Sequence, residues 1–239
     1  MQKKGGNMKR IMTTLTILLL TFVSASSLEC AENVFLRGEM ILTRGDNQLT
    51  RKFDSYILDG EHTFVEFTFP AEFSGRKYYY VKDDIFYSDN SNPAFRKVEE
   101  SAYDNAIADS DITIGDNYTA MDIEEHYTRR TVTENGKEKI VLNSRKTWRA
   151  DYPMIEIFFT ETDGVKLPSV LLLYDRNNRL TRKITLSDFI STGGGWIPAY
   201  RKIENTTLGN SYTEIYITEF REDHAASWRR MFSSLENLK

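Results

Sequence analysis

The sequence has one cysteine in 239 residues. It therefore has no internal disulfide and no two- or four-cysteine zinc site. With only 5 prolines and 13 glycines, collagen-like and linker-dominated chains are excluded. Positive charge is not in excess. The 31 Lys and Arg face 35 Asp and Glu, a formal charge of −4, which argues against a broadly basic nucleic-acid binder. No apolar run reaches the roughly 20 residues that a spanning helix needs. Gly-x-Ser-x-Gly, a phosphate loop and His-Glu-x-x-His spacing are all missing. What is present is an ordinary globular mixture, 40% hydrophobic and 28% charged, rich in Phe (14) and Tyr (13). Aromatics fit pleated surfaces, so the composition leans toward β structure.

Residues 1–25 read as a secretory signal peptide. Lys3, Lys4, Lys9 and Arg10 precede the apolar run Ile11–Val23, and the small residues Ser24-Ala25-Ser26-Ser27 follow. That order of charge, apolar run and small residues is the export signature, with cleavage expected after Ala25. Met8-Lys9-Arg10 is a more typical start than Met1. The remaining chain, 26–239, is expected to form a single domain. It carries 27 basic against 35 acidic residues, a formal charge of −8. Cys30 follows the signal closely enough to raise lipoprotein processing. The preceding Ser27-Leu28-Glu29 fits that processing poorly, so an unmodified thiol is the expectation.

Downstream, short strand candidates alternate with turn signals. Glu39–Arg44 and Leu49–Leu58 are expected to pair, followed by His62–Phe69, Arg76–Lys82 and Ile85–Tyr87. Ser88–Asp111 is the least strand-like stretch, with helical turns expected around Lys97–Ala108. Thr119-Ala120-Met121-Asp122 resembles a capping box and predicts a short helix. Then come Lys139–Asn143, Arg145–Ala150, Met154–Thr160, Pro168–Tyr174, Leu180–Leu186, Trp196–Glu204 and Tyr212–Phe220, with a closing helix over His224–Leu238. Such strands make a sheet with one apolar face, and that face must be covered by a helix, another sheet or a ligand.

The ordered series Tyr152-Pro153-Met154-Ile155-Glu156-Ile157, Asp163-Gly164, Leu167-Pro168, Leu173-Tyr174-Asp175 and Leu180-Thr181-Arg182 resembles the core of the outer-membrane lipoprotein-sorting proteins. These form the LolA/LolB-like superfamily. Gly195-Trp196-Ile197-Pro198, the Tyr212–Phe220 strand, Phe69-Pro70 with Gly75, and Gly115–Ile123 continue the same order. In that last element Gly115, Tyr118, Thr119, Asp122 and Ile123 match in kind. The resemblance spans roughly 39–220. It implies a mainly β protein with a few helices, a half-open antiparallel β-barrel covered by helical lid segments. It also implies a concave apolar face that holds acyl chains of lipoproteins or other lipids, each CH₂ gaining roughly 0.8 kcal/mol on leaving water. Two features differ from such carriers. Only Ser26–Gly38 precede the first expected strand, and the acidic chain offers no basic surface to anionic headgroups. Lipid binding is thus better supported than lipoprotein transport in particular.

The expected lining of that cavity is Val65, Phe67, Phe69, Ile155, Ile157, Phe159, Leu171, Leu173, Ile184, Leu186, Trp196, Ile215 and Ile217. An ordinary core under a helix is the alternative for these residues. Tyr78-Tyr79-Tyr80 either presents phenols to a headgroup or forms strand surface. Gly115, Tyr118 and Asp122 read as a structural turn into a capped helix. His126 beside Glu124 and Glu125 lacks metal spacing, and His62, His224 and Cys30 have no recognisable catalytic partners. Gly193-Gly194-Gly195 precedes a strand and so lacks the geometry of a phosphate-binding helix terminus. No catalytic residue, metal ligand or cofactor is expected, and no nucleic acid. The expectation is a periplasmic carrier of acyl chains, working with an inner- or outer-membrane partner protein. The alternative is an envelope sensor or scaffold that uses the same fold to bind a protein.

Overall fold

A computed structural model describes residues 34–58, 62–81, 84–102, 105–113, 126–145, 152–192, 195–222 and 233. The described strands are β1 (Val34–Arg44), β2 (Asn47–Leu58), β3 (His62–Phe69), β4 (Lys77–Val81), β5 (Asp84–Ser88), β6 (Arg96–Lys97), β7 (Tyr127–Glu134), β8 (Lys137–Ser144), β9 (Met154–Thr162), β10 (Val165–Tyr174), β11 (Leu180–Thr192), β12 (Gly195–Asn205) and β13 (Ser211–Glu222). All belong to one antiparallel sheet. Two meanders, β1–β6 and β7–β13, join where β1 pairs with β13 through contacts such as Met40 with Ile215. The spatial order runs from β6 at one edge to β7 at the other, so the sheet does not close into a barrel.

Turn chemistry sets this meander. Gly45, Gly136 and Gly164 all have positive φ, and Asn135 and Asp163 precede the latter two in the same region. Asn-Gly and Asp-Gly pairs favour tight hairpins because both central residues need φ above zero. The one long excursion lies between β6 and β7, which are opposite edges of the sheet. The chain must therefore cross from one edge to the other over residues 98–126.

Part of that crossing segment lies against the sheet. Residues 106–113 form a tight loop, with Ala106 bridged to Thr113 and the Ile107 N–H donating to the Ile112 carbonyl at 2.8 Å. Ile107 and Ile112 are fully buried, in one apolar cluster with residues from both meanders. The described helical content includes two 3₁₀ turns, Glu100–Ala102 and Ile107–Asp109, and the single helical residues His126 and Ser233. The two turns fall within the stretch where helical turns are expected. The helix expected from Thr119 lies outside the described residues, as do the signal segment, Cys30 and residues 146–150; of the helix expected over His224–Leu238 only Ser233 is described, and it is helical.

Strand parity divides the sheet into two faces. The inner face carries Met40 and Leu42, Phe53, Val65 and Phe67, and Tyr78 and Tyr80 from the first meander. Ile140 and Leu142, Ile155 and Ile157, Leu171 and Leu173, Ile184 and Leu186, Ile203 and Ile215 continue it across the second. Toward the other end of the same face lie Val34, Leu36, Ile57 and Ile197. The outer face holds a smaller aromatic group, Phe35, Phe64, Tyr79 and Phe86 with Val81.

Candidate functional site

The inner face is the largest apolar surface of the described molecule, and nearly all expected lining residues stand on it. Val65, Phe67, Ile155, Ile157, Leu171, Leu173, Ile184, Leu186 and Ile215 belong to its buried cluster. Phe159 and Ile217 pack against that cluster while remaining partly exposed. Two residues fall elsewhere. Phe69 follows a register shift between Lys52 and Phe53, so it pairs with Lys52, the neighbour of inner-facing Phe53. The bulge inverts strand parity, and Phe69 is left 48% exposed beneath the Lys52 ammonium. Trp196 alternates with Ile197, which is buried on the inner face, so the indole lies on the opposite side of β12.

One end of the inner face is closed by a polar lock. Asp111, on the crossing segment, is 6% exposed. The Arg44 guanidinium donates to its Oδ2 at 2.7 Å. Thr213 Oγ1 donates to the same oxygen at 2.9 Å, and Ser211 Oγ donates to Oδ1 at 2.9 Å. The Asp111 N–H returns a bond to Thr213 Oγ1 at 3.0 Å, and Arg182 donates to the Asp111 carbonyl. A buried carboxylate is tolerated when paired and hydrogen-bonded in this way. Strands β1, β11 and β13 thus all grip one residue of the crossing segment. Next to it Ala108 and Asp109 both have positive φ, a conformation that for Ala is costly and persists only where its surroundings impose it. Arg51 reaches the Asp109 carboxylate at 3.6 Å and lies 4.0 Å from the Phe73 ring centre.

Arginine is the unexpected component of this face. Arg201 is fully buried, and burial pushes its guanidinium down to about 9, which leaves it cationic at neutral pH. Arg51 is 4% exposed, and among the described residues its Nε has no hydrogen-bond partner, nor does the buried Ser55 hydroxyl. The pattern Ile197, Ala199, Arg201, Ile203 on alternate positions of β12 is the signal that could have flagged Arg201. The outer face of the second meander is by contrast wet. Tyr200 donates to Glu214 at 2.7 Å and Tyr174 to Glu156 at 3.1 Å. Burial and then these hydrogen bonds raise both phenols.

Residues 59–234 match the sequence profile of a family described as "Uncharacterized protein". The chain belongs to that family. Among curated proteins none matches it. Solved structures place its fold. A DUF1329 family protein from Desulfovibrio piger superposes with a TM-score of 0.70 at 21% identity, covering 82% of this chain and 88% of that one. A domain named for outer membrane lipoprotein sorting, from Vibrio parahaemolyticus, gives 0.67 at 15% identity over 82% and 88%. A LolA superfamily protein from Nitrosomonas europaea gives 0.63 at 11% identity over 83% and 90%. The fold is therefore LolA-like, as the motif order implied, and it appears here as an open sheet.

The other singled-out residues are placed as follows. Tyr78-Tyr79-Tyr80 is the body of β4, and all three rings are buried, Tyr78 and Tyr80 inward and Tyr79 outward. Burial raises the Tyr78 phenol. His62 is buried on the outer side, stacked on Tyr79 with ring centres 6.1 Å apart. The His126 carbonyl accepts from the Arg145 N–H at 2.7 Å. Among the described residues no His, Cys, Asp and Glu cluster could hold a metal, and no helix is long and apolar enough to cross a membrane. Gly115, Tyr118, Asp122, Glu124, Glu125, Gly193, Gly194 and His224 lie outside the described residues.

Proposed function

We propose that this protein is an exported, periplasmic carrier that buries acyl chains of lipids or lipoproteins against the inner face of its sheet, without catalysing a reaction. The observation that carries this reading is the continuity of that face. One buried apolar cluster runs from Tyr80 and Ile85 in the first meander to Ile140 and Leu142 in the second, across the β1–β13 junction. A face of that extent on an open sheet gives an acyl chain many simultaneous contacts, each methylene contributing roughly 0.8 kcal/mol. The LolA-like fold supports the same reading, since one structural neighbour carries lipoprotein sorting in its name. In this proposal residues 1–25 are removed on export and 26–239 form the single binding domain. In this reading helical lid segments cover the face and open against a membrane or an envelope partner protein. The ligand-facing residues are the eleven expected positions that stand on the inner face, without Phe69 and Trp196.

The test is to purify the exported protein without detergent and analyse it by native mass spectrometry and solvent extraction. A stoichiometric acyl-chain species, or saturable uptake of added phospholipid or lipopeptide, is the expected result. Absence of bound lipid together with no uptake would contradict the carrier and favour a protein-binding scaffold on the same fold.

A further inference from the structure

The two edges of the sheet are finished differently. At one edge, β6 is two residues long and carries Lys97, so it offers little to a pairing strand. At the other, β7 is eight residues long, and its register with β8 runs from Tyr127 to Glu134 without a shift. It holds no proline and no lysine. Short edges, proline, lysine and bulges are the usual devices against strand addition, and β7 has none of them. Residues 128–131, 133 and 134 are exposed, and Val132 is half-buried. The Asn135-Gly136 hairpin bonds Glu134 to Lys137, so Val132, Arg130 and Thr128 also bond to β8. The N–H and C=O groups of Arg129, Thr131 and Thr133 therefore point outward along the open edge. Among the described residues no strand pairs with them.

Charge on this edge is divided along its length. Arg129 and Arg130 have no ion-pair partner among the described residues. Farther along, Lys139 is shared by Glu134 at 3.0 Å and Glu156 at 2.8 Å, so two carboxylates face one ammonium. A two-fold axis lays one end of the strand on the other end of its copy. Outward backbone groups must meet outward groups, so the axis of an antiparallel pair passes through a residue position. Centred on Val132, it sets Arg130 of each copy opposite Glu134 of the other, Thr131 opposite Thr133, and Val132 against Val132. Opposite charges, Thr–Thr and β-branched pairs are the favourable cross-strand neighbours. Centring on Arg130 would instead set Arg130 against Arg130, and centring on Thr131 would set it against Val132. Thr131 pairs with inner-facing Ile140, so the alternate residues Arg130, Val132 and Glu134 share the outer face. We propose that the β7 edge binds a second copy of this chain, joining the two sheets by antiparallel β7–β7 pairing centred on Val132. This contact uses the sheet edge and is independent of the acyl-binding reading.

Sedimentation velocity of the exported protein over a concentration series should show monomer passing to dimer. Arg130→Glu sets Glu against Glu134 on both sides of the axis, where like charges repel. It should weaken the dimer at least about fivefold, and Arg130 is exposed, so the fold is kept. Register is read by cysteine pairing in a Cys30→Ser background. At the centre the Cα atoms of Val132 and its copy would lie about 4.5 Å apart, within disulfide range. Val132→Cys should therefore form a covalent dimer on mild oxidation. Thr128→Cys should stay monomeric under the same conditions, because its copy would lie about 27 Å away. A monomer at every concentration overturns the proposal and leaves the edge to a strand of a different protein. A dimer that Arg130→Glu does not weaken, or cross-linking as efficient at 128 as at 132, places the contact elsewhere and overturns it too.

Discussion

Asp111 ties the crossing segment to the sheet through both its side chain and its backbone. It accepts hydrogen bonds from Arg44, Ser211 and Thr213, and its backbone bonds both Thr213 and Arg182. Removing the carboxylate would leave the buried Ser211 and Thr213 hydroxyls without their acceptor, and would strip Arg44 of its counter-charge. Each buried polar group so orphaned costs about 1–3 kcal/mol. Asp111→Ala should therefore lower stability by roughly 2–4 kcal/mol in urea denaturation. It should also speed amide exchange at Ile107 and Ser110, whose N–H groups hold the crossing loop together. An unchanged midpoint would show that the lock contributes nothing. Asp111 was not legible as a buried site residue in the sequence. A polar residue's burial is decided by partners distant along the chain, and Asp111 meets Ser211 and Thr213 across 100 and 102 positions. Periodicity reports only on neighbours within one strand, which is why the apolar residues of the inner face could be named, and a charge could be flagged only where it interrupts an apolar alternation, as Arg201 does on β12.

At the scale of single elements, β1 shows how a close approach fixes a residue. Gly38 pairs with Phe53 on β2, and a Cβ at Gly38 would overlap the Phe53 ring. Phe53 is fully buried, so the ring has no free space into which to retreat. Gly38→Ala should cost about 1–3 kcal/mol, the usual penalty of overpacking, read as a lower denaturation midpoint with an unchanged slope. Most strands were legible because Val, Ile, Leu and Phe recur at period two between turn signals. The exceptions have physical reasons. β7, Tyr-Thr-Arg-Arg-Thr-Val-Thr-Glu, is an edge strand whose residues are almost all exposed or half-exposed, so it carries no apolar alternation. Its cue was the Asn135-Gly136 pair, whose φ values of 51° and 74° build the hairpin to β8. Phe69 was misplaced because a bulge cannot be seen in a repeating pattern until the register of the partner strand is known.

At the scale of the whole molecule, the described residues form one open antiparallel sheet with a buried apolar face, crossed at one end by a loop locked to the sheet through Asp111. The LolA-like architecture was legible because it rests on the order of several weak motifs along the chain, and the fold is shared with solved neighbours at identities of 11–21%. The central claim is that acyl chains lie on the inner face. It is tested most directly by photo-crosslinking with a diazirine-bearing fatty acyl probe, followed by peptide mapping of the labelled protein. The account predicts saturable labelling of inner-face positions, with Leu171, Leu186 and Ile215 foremost, reduced by excess unlabelled lipid. Labelling confined to outer-face residues such as Tyr200 and Tyr216, or labelling that excess lipid does not reduce, would contradict it.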